Sequence, residues 1–149
     1  IQHFFGVPQS VYALGGYLSN LEIDVDDTIA ALFQCGTETR SFPVQLHLSF
    51  AQGQEQREFT ILLEKGVLHC DLVKQKLQIV NHKRESVLLK HLPDFPRNDL
   101  FIAETKHLLD CLQNREQTQI SLTEGKVSLL MSLAIFQSLN TKFPEAIHV

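Results

Sequence analysis

Pro43-Val44-Gln45-Leu46-His47-Leu48-Ser49-Phe50-Ala51 alternates without a break. Val44, Leu46, Leu48 and Phe50 fall on one side of an extended chain, and Gln45, His47, Ser49 and Ala51 on the other. Side chains of a strand point alternately to opposite faces, so this period of two marks a strand with one face on a core. The opposite face carries no charge, although a solvated sheet face is usually dressed with Lys and Glu. Depletion of charge is the compositional mark of an interface centre. Gln45, His47 and Ser49 are therefore the candidates for contact with a substrate or with a second copy of the chain.

The same reading extends to both sides. Apolar residues alternate or run in short blocks near 11–18, 28–35, 57–63, 67–72, 76–81 and 87–92, separated by Gly, Asn, Asp and Lys-Gly punctuation. The links Gly53-Gln54-Glu55, Glu64-Lys65-Gly66 and Lys74-Gln75 suit hairpins, so neighbouring strands are expected to pair antiparallel. From Asp99 the period becomes that of a helix: Phe101, Leu108, Leu109 and Leu112 share one stripe, and Val127, Leu130, Met131, Ala134 and Ile135 another. Asn98 or Asp99 is the expected cap of the first helix. Ser121-Leu122-Thr123-Glu124 is a capping-box sequence opening the second. Leu129, Leu133 and Phe136 lie off the main stripe, which predicts a core helix buried on several sides. The fold class is α+β: a predominantly antiparallel β-sheet of six or seven strands with the two C-terminal helices packed on one face. A chain of 149 residues, 44% of them hydrophobic, suits a single domain around one core.

A net charge of −4 argues against a nucleic-acid partner, which needs a basic stripe to displace counterions. No apolar run approaches the roughly 20 residues that span a bilayer, so no membrane role is expected. Cys35, Cys70 and Cys111 are odd in number and sit in apolar segments, as reduced cysteines do, and a cytoplasmic location is expected.

The sequence offers no complete catalytic constellation. Glu22, Asp24, Asp26 and Asp27 form an acidic run but lack the loop glycine and distal glutamate of a calcium loop, and read as a strand entry with a solvated side. Glu104 and His107 are half of a carboxylate-bridged metal motif without its second half, and read as a helix-surface pair. The seven histidines are scattered without metal-ligand spacing, and no Gly-x-Ser-x-Gly elbow occurs. Gly15-Gly16 lacks the third glycine and following helix of a phosphate cradle, and reads as a bulge or bend in a strand. Catalytic, cofactor-binding and metal residues are thus all expected to be none.

The order of segments resembles a family. Phe5-Gly6-Val7-Pro8 with Ser10-Val11-Tyr12-Ala13 comes first, then Asp24-Val25-Asp26-Asp27-Thr28, His47-Leu48-Ser49-Phe50 and Glu64-Lys65-Gly66-Val67-Leu68. Glu104, His107-Leu108-Leu109-Asp110-Cys111 and Ser121-Leu122-Thr123-Glu124-Gly125 follow. In this order they resemble the carboxy-terminal domain of the glucose-fructose oxidoreductase, inositol dehydrogenase and rhizopine-catabolism (Gfo/Idh/MocA) oxidoreductases, over nearly the whole chain. The resemblance implies an upstream Rossmann domain holding NAD or NADP, and a sugar, polyol or related cyclic compound as small-molecule substrate. It also implies a homo-oligomer built through the sheet. Ile1 to Gly6, an apolar stretch closed by a glycine, would be the end of the helix that carries the family's substrate-facing histidine. The family's glycine fingerprint, Glu-Lys-Pro segment and Asp-x-x-x-His helix do not occur in this sequence, so no catalytic residue carries over and the chain alone is expected to be inactive. The alternative is a free-standing α+β dimerisation module, which needs only a two-layer core and an uncharged sheet face.

Overall fold

The computed structural model describes residues 1–92, 96–114 and 116–148. In chain order its elements are α1 (Gln2–Phe5), β1 (Ser10–Gly16), β2 (Thr28–Thr37), β3 (Arg40–Ser49), β4 (Glu58–Leu63), β5 (Gly66–Asp71), β6 (Lys76–Asn81), β7 (Ser86–His91), α2 (Arg97–Asn114), α3 (Leu122–Thr141) and β8 (Glu145–Ala146). The chain divides into two compact units, Ile1–Ala51 with Gln119–Val149, and Gln52–Thr118.

The first unit holds a four-stranded sheet in the order β3-β2-β1-β8, with every pairing antiparallel. Register places Val11 opposite Phe33 and Phe33 opposite Val44, with Ala13, Ala31 and Leu46 in the next inward row. That face meets α3, whose Val127, Met131, Ala134, Ile135 and Leu139 complete the core. The capping box is formed as read: the Ser121 hydroxyl accepts from the Glu124 N–H, and the Glu124 carboxylate accepts from the Ser121 N–H at 2.7 Å. Beyond Val11 the outer edge of β1 outruns the two-residue β8. The Ala13 N–H there donates to the Ser138 hydroxyl at 2.9 Å, and that hydroxyl donates in turn to the Phe143 carbonyl at 2.7 Å. Ser138 is fully buried. One hydroxyl thus satisfies a ladder donor and a carbonyl just past the end of α3 that would otherwise be stranded.

The second unit holds a meander, β4-β5-β6-β7, again wholly antiparallel, together with α2. All seven strands read from the sequence are present within three residues of their expected limits, and they are shared between two sheets. The expected hairpin at Gly53-Gln54-Glu55 does not form. From Gln52 to Arg57 the approach to β4 is polar apart from Gly53, and the Phe50 N–H donates to the Asp27 carbonyl instead of continuing a ladder towards β4.

The helices differ from expectation in two ways. α2 begins at Arg97, so Asn98 and Asp99 lie in its first turn rather than at its cap, where the Asp99 charge still favours the helix dipole. Phe101, Leu108, Leu109 and Leu112 are all about half exposed or more, and Cys111 is the one buried residue among those described in α2. On α3, Leu129, Leu133 and Phe136 are exposed, so burial is confined to one stripe rather than several sides. Nor is there a bulge at Gly15-Gly16, whose pairing with Ile29 and Thr28 is continuous. A Cβ at Gly15 would lie 2.1 Å from the Thr28 carbonyl oxygen, so it is close backbone approach that calls for glycine.

Candidate functional site

Alternation along β1, β2 and β3 turns a second face of the first sheet away from α3. Tyr12, Leu32 and Gln45 form one of its rows, Leu14, Ala30 and His47 the next, and Gly16, Thr28 and Ser49 the third. The three sequence candidates therefore do share one face. Gln45 and His47 are exposed and make no side-chain hydrogen bond among the described residues, whereas Ser49 is half-buried and its hydroxyl pairs with that of Thr28 at 2.9 Å. Gln45 and His47 are free to meet a partner, and Ser49 is already engaged. Leu14 and Leu32, absent from the sequence candidates, are 52% and 51% exposed beside them and make the face more apolar than β3 alone suggested. Nothing in β3 signals this. It emerges only when β1 and β2 are laid in register.

Asp27 is a further residue whose place the sequence did not disclose. In the acidic run it read as solvated, yet it is 2% exposed. Its Oδ2 accepts from the Leu18 N–H at 3.0 Å, the Ser19 N–H at 2.8 Å and the Ser19 hydroxyl at 2.7 Å, fastening the loop after β1 to the start of β2. Burial pushes the Asp27 carboxyl upward, but the hydrogen bonds from Ser19 and Leu18 outweigh it and hold the group below its ordinary value. No group of three or more metal-ligating side chains gathers around the run, or anywhere else among the described residues.

A hollow of about 640 Å³ lies between α1, α3 and the inner face of the first sheet, floored by Phe33, Leu46, Met131 and Ile135 and rimmed by His3 and Glu124. Its size and apolar floor are those of a small-molecule site. Its acid is committed elsewhere, however. Hydrogen bonds from the Ser121 N–H and hydroxyl hold the Glu124 carboxyl below its usual range, where it serves as a helix cap and not as a proton donor at neutral pH. The thiols are equally unsuited to nucleophilic work. Burial raises Cys35, while burial and the neighbouring Asp71 charge raise Cys70. Cys111 is buried, with its sulfur 3.6 Å from His107 Nε2, whereas the Glu104 side chain, the expected partner of His107, makes no hydrogen bond or ion pair among the described residues.

Neither the glycine pair nor the N-terminus of α3 forms a dinucleotide cradle among the described residues. Such a cradle needs a glycine-rich turn leading into an open helix N-terminus. Gly15 and Gly16 are locked in a strand ladder, and the N-terminus of α3 is filled by its own Glu124. NAD or NADP does not fit these residues.

No family model matches the chain, and no curated protein matches it. Solved structures do. An oxidoreductase from Agrobacterium radiobacter in complex with NAD+, L-tartaric acid and magnesium superposes with a TM-score of 0.78 at 14% identity, over 98% of this chain and 45% of that one. The fold is one found in oxidoreductases. The WlbA dehydrogenase from Bordetella pertussis, in complex with NADH and UDP-GlcNAcA, gives 0.69 at 20% identity over 97% of this chain and 41% of its own. UDP-N-acetylglucosamine 3-dehydrogenase GnnA from Acidithiobacillus ferrooxidans gives 0.74 at 16% identity over 94% and 43%. The chain thus spans under half the length of these oxidoreductases. The α+β fold implied by the resemblance to the Gfo/Idh/MocA carboxy-terminal domain is the fold observed.

Proposed function

We propose that the chain is the substrate-side and oligomerisation domain of an NAD(P)-dependent oxidoreductase acting on a sugar, polyol or related cyclic compound, and that it is inactive alone. The observation carrying this reading is the match over nearly all of this chain to under half of enzymes whose structures contain NAD+ or NADH. A domain that pairs with a nicotinamide-binding partner needs no cofactor cradle of its own, and the ladder position of Gly15-Gly16 and the capped N-terminus of α3 suit such a domain. In this reading a Rossmann domain is its partner in the same polypeptide, and Gln45 and His47 serve either the oligomer or the substrate cleft. A cytoplasmic location agrees with three free cysteines and with the absence, among the described residues, of any helix long and apolar enough to cross a membrane.

The test is turnover. A polypeptide that joins this chain to its preceding genomic sequence should interconvert an alcohol and a ketone on a sugar-like substrate with NAD(P), while residues 1–149 show none. Preceding sequence with no Gly-x-Gly-x-x-Gly between a strand and a helix would overturn the reading in favour of a dimerisation module.

A further inference from the structure

The second sheet has a polar face that the sequence did not single out. Register sets Thr60, His69 and Gln78 side by side on β4, β5 and β6, and Glu58, Asp71 and Lys76 side by side in the adjoining row. Alternation puts all six on one face. With Lys74 they line a hollow of about 500 Å³, within the size range of small-molecule sites.

Part of this face is fixed from within. Thr60 Oγ1 lies 3.1 Å from His69 Nδ1, Lys74 Nζ lies 3.3 Å from Asp71 Oδ2, and the Lys74 N–H donates to Asp71 Oδ1 at 2.8 Å. The rest is unspent: Glu58, Lys76 and Gln78 make no side-chain hydrogen bond or ion pair among the described residues. Glu58 also stands directly opposite Asp71, an arrangement of like charges that costs stability unless donors come between them.

Charge selects the ligand. Glu58 and Asp71 balance Lys74 and Lys76, so an anion such as phosphate would face two carboxylates and a metal cation would face two ammonium groups. A neutral molecule rich in hydroxyls meets neither opposition. Its hydroxyls can donate to the carboxylates and accept from the ammonium and amide groups at once. We propose that this face binds a neutral polyhydroxylated small molecule, a polyol or a sugar ring, through Glu58, Lys76 and Gln78, with His69 and Asp71 as pre-positioned anchors. The site involves residues 58–80 only and goes beyond the dehydrogenase reading, so either can fail without the other.

The experiment is a titration of the 149-residue chain with methyl glucoside and with sorbitol, followed by backbone amide NMR. Saturable shifts should concentrate on residues 58–60, 69–71 and 76–78. Gln78→Ala and Glu58→Gln should each weaken binding by about tenfold, with spectra elsewhere unchanged, while Glu38→Gln, in the exposed turn between β2 and β3, has no effect. Shifts that never saturate, or that both substitutions leave intact, would overturn the site. So would saturable binding of inorganic phosphate or Mg2+ at these residues with no response to either polyol.

Discussion

Asp27 and Ser138 are the two buried polar residues among those described in the first unit, and each stands where the backbone would otherwise be left unpaired. Ser138 supports a β1 donor and a carbonyl just past the end of α3, so Ser138→Ala strands both. Losing a buried partner costs about 1–3 kcal/mol. Denaturant unfolding should show a fall of that size, and Ser132→Ala, whose exposed hydroxyl bonds only within its own helix, should change little. Asp27 gives a pH signature. Its folded pKa is depressed, so its contribution is present at neutral pH, starts to fade as pH falls through its unfolded value of about 4, and is gone once pH passes below the folded pKa. Asp27→Asn keeps an acceptor but removes the charge. The variant should be less stable than wild type at pH 7 and should lose less on acidification, as followed by thermal melts from about pH 7 to pH 3. Equal acid slopes would refute the assignment. Asp71 and Glu124 are depressed too, so some slope will remain.

At the scale of elements, strands and the second long helix were legible because their causes are local: period-two alternation, hairpin residues, and a capping box that needs only Ser121 and Glu124. What stayed hidden depends on residues far apart in sequence. Asp27 looked like its acidic neighbours because its donors come from Ser19 and Leu18 across a loop, and the division into two sheets turns on what the polar stretch after Phe50 fails to pair with. The open face of β1, β2 and β3 was half legible. Gln45, His47 and Ser49 marked it from β3, but Leu14 and Leu32 joined it only through register. Two exposed leucines amid Tyr12, Ala30, Gln45 and His47, with no charge in these rows, suit the centre of an interface better than a solvated surface. Self-association through this face is therefore expected at micromolar concentration. Light scattering should give a dimer or larger mass for the wild-type chain and a monomer for Leu32→Arg or Ser49→Arg, since an unpaired guanidinium buried in an apolar contact is strongly unfavourable. A monomeric wild type would exclude the sheet face as an oligomer surface.

For the molecule as a whole, the proposed division of labour turns on where cofactor binding energy resides. A dinucleotide is held chiefly through its pyrophosphate by backbone N–H groups at an open helix N-terminus, reached over a turn whose glycines allow close approach. This chain spends the corresponding features otherwise. Gly15 admits the Thr28 carbonyl of a neighbouring strand, and the first turn of α3 is satisfied by its own capping box. Calorimetry of residues 1–149 with NADH should accordingly show no saturable heat at millimolar ligand. Glu124→Ala frees the α3 N-terminus and also tests whether a helix end alone suffices. It should lower stability by about 0.5–2 kcal/mol through loss of the cap, and still confer no NADH binding, because no glycine turn leads into that helix. Tight NADH binding by the unaltered chain would place the cofactor within these residues and remove the ground for a separate nicotinamide-binding partner.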